Sequence, residues 1–82
     1  MTAEQRIELE NYITDLYCLR NHIPTDNIKI LLDLRHIVSD EIDKRDCSYN
    51  TYVLRLYQDM ESDIKVRFNN IGYKKYEEKE DN

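Results

Sequence analysis

Thr25–Arg45, TDNIKILLDLRHIVSDEIDKR, is the stretch that decides the fold. Wound as an α-helix, it gathers Lys29, Asp33, His36, Asp40, Asp43 and Lys44 into one arc of roughly 100°. Ile30, Leu31, Leu32, Leu34, Ile37, Val38 and Ile42 spread over most of the remainder. A helix packed on one neighbour needs an apolar stripe of about 100°. This segment carries roughly twice that, which calls for two neighbouring helices or a second copy of the chain. Pro24 biases Ile23 away from helical backbone, Thr25 is a good N-cap, and Asp26 then falls in the first turn. Lys44 and Arg45 fall in the last turn, where the macrodipole favours cations. The reading is a helix over 26–45.

Upstream, the spacing predicts a helix over 3–21. Thr2-Ala3-Glu4-Gln5 reads as a capping box, and Leu9, Tyr12, Ile13, Leu16, Tyr17 and Leu19 line one face. Ile7, Thr14 and Cys18 lie almost opposite, a smaller second face that could meet a partner.

Downstream, Asp46–Ser48 reads as a connection, with Ser48 as the N-cap of a third helix over 49–71. Its stripe is Tyr49, Tyr52, Val53, Leu56, Tyr57, Met60, Ile64, Phe68 and Ile71, with Gly72 placed for a left-handed C-cap. YKKYEEKEDN, residues 73–82, has no apolar periodicity and reads as a charged, frayed or disordered tail. The expected fold is therefore all-α, a three-helix antiparallel bundle or a helical hairpin-type dimer. One domain covers residues 1–72, and the tail covers 73–82.

Composition narrows the function. Eighty-two residues lie near the lower limit for an unassisted core, which together with the wide central arc favours a homo-oligomer. One Gly and one Pro leave little material for turns or strands. The net charge of −5, from 17 acids mixed with 12 bases, lacks the basic face of a protein that grips phosphates. A nucleic-acid-associated regulator thus ranks third. No apolar run approaches a membrane span and no leader pattern opens the chain, so the expected location is cytoplasmic, or the host cytoplasm if viral.

Few residues offer chemistry. Cys18 and His22, four apart and near Asp15 and Asp26, sketch half a metal site or an activated thiol. A thiol-dependent enzyme or metal-binding protein using this pair is the alternative function. Cys47, the other cysteine, is expected at the far end of the bundle, which leaves the pair short of a four-ligand zinc site. No catalytic residue, metal ligand or cofactor is assigned. His36, between Asp33 and Asp40, fits a solvated ladder with Lys29 and Lys44. Asp40/Glu41 and Glu77/Glu78 lie in highly charged stretches, unlike a glycosidase pair with one carboxylate held dry.

Seven tyrosines and no tryptophan form a marked bias, and tyrosine is enriched where proteins meet. The candidate partner-binding residues are Ile7, Tyr12, Tyr17, Cys18, Tyr49, Tyr52 and Tyr57. The leading expectation is a non-enzymatic regulator that binds and inhibits or modulates another protein, with no membrane insertion.

The length, acidity and Tyr/Asn/Asp/Ile-rich vocabulary, as in DNIKILLDLRH and CSYNTYVLRLYQDM, resemble small accessory proteins of T-even-type bacteriophages. Within that group the chain looks most like the cytoplasmic lysis-inhibition accessory proteins, or antiholins. The resemblance implies binding to the cytoplasmic part of a holin and delay of lysis. It implies no residue-level assignment.

Overall fold

The computed structural model describes residues 2–45 and 52–73. They form three helices, α1 (Ala3–Asn21), α2 (Ile28–Asp43) and α3 (Val53–Phe68), the last continued by a wider turn over Asn69–Tyr73. The all-helical, three-helix expectation holds. No strand occurs among the described residues, and none of these helices is long and apolar enough to cross a membrane. Ser48, Tyr49, Cys47 and the segment 74–82 lie outside the described residues.

Side-chain bridges fix the topology. Arg6 reaches Ser39 and Asp43 while Arg35 reaches Asn11, so α1 and α2 run antiparallel. Arg45 meets Asp63 and Arg67 meets Asp40, so α2 and α3 are antiparallel too. α3 therefore lies alongside α1 in the same direction, tied by Arg20 to Glu61 at 3.0 Å. The central helix buries Ile30, Leu34, Ile37, Val38 and Ile42 between both neighbours. Its wide apolar arc is thus satisfied largely within one chain, although Ile28 and Leu32 stay exposed.

Three boundaries differ from the sequence reading. Asn27, not Thr25, caps α2: its Oδ1 accepts from Ile30 N at 3.2 Å, leaving Thr25 and Asp26 in a turn outside the helix. Asn is at least as good a cap as Thr and stands nearer the first buried residue, Ile30. At the other end α2 stops at Asp43, and Lys44 and Arg45 turn back onto Glu41 rather than extending the helix. Tyr52 is the N-cap of α3 without a side-chain capping bond, and its own side chain is exposed. At the far end Ile71 is also exposed, but Gly72 has φ 117°, the positive-φ role expected of it. Tyr73, expected in the tail, is anchored: its ring stacks on Phe68 at 4.5 Å and its hydroxyl donates to Asp33 at 2.8 Å.

The largest correction concerns the rotation of α1. Its buried residues are Leu9, Ile13, Thr14, Tyr17, Cys18 and Asn21, a face turned by roughly a quarter of a revolution from the expected stripe. Thr14 and Cys18, expected on the outer face, lie on the arc between Arg6 and Asn11, both of which bond to α2. Tyr12 and Leu19, expected inside, are 50% and 74% exposed.

Candidate interaction surface

Rotation of α1 creates the most distinctive surface on the molecule. Glu4, Glu8, Tyr12, Asp15 and Leu19 succeed one another at helical spacing and are all exposed. The stripe holds two apolar side chains, three carboxylates and no base. Beside it, Glu8, Leu9, Tyr12 and Val53 line a cavity of about 150 Å³ where α1 meets the start of α3. Leu54, the next residue of α3, is exposed as well. It shares a row with Glu61, seven residues on, and that row meets Arg20 of α1.

The seven candidate residues separate cleanly. Ile7, Tyr12 and Tyr52 are exposed and available. Tyr17, Cys18 and Tyr57 are 2%, 1% and 1% exposed, which corrects their assignment as contact residues. Tyr17 packs edge-on against Phe68, with ring centres 5.8 Å apart. Tyr57 sends its hydroxyl outward to donate to Glu61 at 2.6 Å, beneath the guanidinium of Arg20. Burial, then the Glu61 hydrogen bond, holds the Tyr57 phenol above its ordinary range. Tyr49 lies outside the described residues. The sequence reading missed Leu19 as a surface residue, because it sits in register with Tyr12, Leu9 and Leu16 and only the neighbouring helices decide which of them face inward.

Cys18 is buried at 1% exposure, whereas the His22 side chain four residues on is exposed. Burial, with a contribution from Asp15, pushes the Cys18 thiol up to about 11, against the thiolate that nucleophilic chemistry requires. His22 instead closes α1, with φ 55° and an exposed side chain. Among the described residues no group of three or more His, Cys, Asp or Glu is arranged to hold a metal ion.

Charge is concentrated elsewhere, between α2 and α3. The Glu41 side chain is buried, contrary to its placement in a wet, charged stretch. It accepts from Lys44 at 3.0 Å, Arg45 at 2.9 Å and Arg67 at 3.0 Å. Burial pushes its pKa up, but the three cationic hydrogen bonds outweigh burial and bring it to about 2. It is held dry as a glycosidase acid would be, yet kept ionised, the opposite of what proton donation needs. Asp40 and Asp63 complete the cluster by pairing with Arg67 and Arg45. These cations are occupied by protein carboxylates, so the two depressions of about 530 Å³ along this seam are lined largely by paired charges.

No family model matches the sequence, and no curated protein or solved structure shows a significant match.

Proposed function

We propose that the chain is a small non-enzymatic regulator that acts by binding another protein. The observation that carries this reading is the outward placement of Tyr12 and Leu19 on one stripe of α1, beside exposed Leu54 and the cavity against Val53. Scattered apolar residues are ordinary on a surface, but two exposed apolar side chains in one helical row beside a recess offer a partner both area and a notch. A photo-crosslinking residue at Tyr12 or Leu19 should yield a discrete protein adduct in the cells that make the chain. Absence of adducts from Ile7, Tyr12, Leu19, Ile28, Tyr52 and Leu54 alike would end the proposal.

The resemblance to lysis-inhibition accessory proteins supplies one specific partner, the cytoplasmic part of a phage holin. Co-expression with such a holin should delay lysis, and an unchanged lysis time would remove that partner while leaving the general reading intact. Self-association is a second use for exposed apolar surface, favoured by Ile28 and Leu32, one turn apart on α2. Sedimentation equilibrium returning only the 10.0 kDa mass would exclude it.

A further inference from the structure

We propose that the outward stripe of α1, with the notch it forms against Val53, receives an amphipathic helical segment of a partner protein whose apolar face is flanked by lysine or arginine. This rests on the reading of the chain as a protein-binding regulator, and names the surface and the chemistry of its partner. Tyr12 and Leu19 are separated by seven residues, about 10 Å along the helix axis. They therefore offer two apolar footholds to a second helix lying alongside α1, the helix-in-groove mode of recognition. The cavity of about 150 Å³ at Glu8, Leu9, Tyr12 and Val53 is below the roughly 300–1,000 Å³ of small-molecule sites. It is scaled to one inserted side chain.

Charge selects among possible occupants. Glu4, Glu8 and Asp15 share the stripe with Tyr12 and Leu19, and no lysine or arginine does. Phosphate-rich partners such as nucleic acid or anionic lipid would be repelled. A second copy related by a two-fold axis would place this acidic stripe against itself. A basic-flanked apolar helix satisfies both the footholds and the field.

The test uses the full-length, isotope-labelled protein and two synthetic helical peptides, each with a leucine face, one flanked by lysines and the other by glutamates. The lysine peptide should shift amide resonances of residues 4–19 and of Val53 and Leu54, with an affinity that falls as salt rises. Glu4→Lys combined with Asp15→Lys should weaken it at least tenfold while leaving the circular dichroism spectrum unchanged, since both side chains are exposed. Tyr12→Ser with Leu19→Ser should weaken it comparably. Equal binding of the glutamate peptide, binding of neither, shifts confined to the α2–α3 seam, or concentration-dependent self-association through the stripe would each overturn the proposal. Crosslinks mapping to a different face would leave the protein-binding reading standing while this surface fell, so the two failures are distinguishable.

Discussion

Thr14 is buried on α1, and its hydroxyl has no hydrogen-bond partner among the described residues. Such a group costs about 1–3 kcal/mol when it cannot recover the bonds it made to water. Thr14→Val keeps the branched shape and removes the orphan oxygen. It should raise stability by about 1 kcal/mol, a gain of roughly 4–8 °C in melting temperature for a domain of this size. A thermal melt followed by circular dichroism reads this directly, and an unchanged midpoint would show that the oxygen is hydrated. His22 presents a second local cost. It ends α1 in the left-handed region, with Ile23 N bonding back to Cys18 O at 3.0 Å, a position that glycine usually fills. His22→Gly should remove the Cβ strain and raise the unfolding free energy read from urea titrations by about 0.5 kcal/mol, after the extra flexibility of the unfolded chain is counted. A lowered midpoint would show that the histidine ring contributes more than its backbone costs. Ile23-Pro24 marks this helix end in the sequence, but a left-handed histidine carries no signal of its own.

The three helices differ in how well their faces can be read. α2 and α3 segregate polar and apolar residues, and most of each expected row is buried, Ile30, Leu34, Ile37 and Val38 in one and Leu56, Met60, Ile64 and Phe68 in the other. Leu32, Tyr52 and Ile71 from the same rows are exposed. α1 has apolar residues around most of its circumference, so periodicity alone cannot set its rotation. The bridges from Arg6 and Asn11 to α2 and from Arg20 to α3 mark the rotation adopted, and they join residues distant in sequence. The same rotation produced the candidate surface, because Tyr12 and Leu19 both belong to the stripe that periodicity turns inward and both are exposed. Alanine substitution separates the two readings of α1. Ile13→Ala should cost about 2–5 kcal/mol, as a fully buried side chain does. Leu19→Ala should stay within about 0.5 kcal/mol, as an exposed one does. Comparable losses at both positions in urea titrations would mean that α1 packs on its sequence-defined stripe after all.

Across the whole molecule, hydrophobic burial joins the helices while ion pairs fix their alignment, and Glu41 is where those two roles meet. Its carboxylate lies at the edge of the core yet receives three cations, Lys44 and Arg45 from the end of α2 and Arg67 from α3. A carboxyl group whose folded pKa lies below its unfolded value stabilises the fold above the unfolded pKa, and that contribution is lost as pH falls toward the folded one. Glu41 drops from 4.5 to about 2, so its contribution should be complete at neutral pH and vanish progressively between about pH 5 and pH 2. At about 1.4 kcal/mol per pKa unit, the amount is on the order of 3 kcal/mol. Asp40, lowered first by its hydrogen bond from Arg67, and Asp33, lowered first by the Tyr73 hydroxyl, add to the acid sensitivity in the same direction. Glu41→Gln isolates the buried group, since it preserves shape but carries no charge at any pH. The variant should be clearly less stable than the parent at pH 7, and the gap in urea-unfolding free energy should close as both are titrated toward pH 2. A gap that stayed constant across that window would show that Glu41 stabilises the α2–α3 seam through packing and neutral hydrogen bonds, with its charge contributing nothing to the alignment of the bundle.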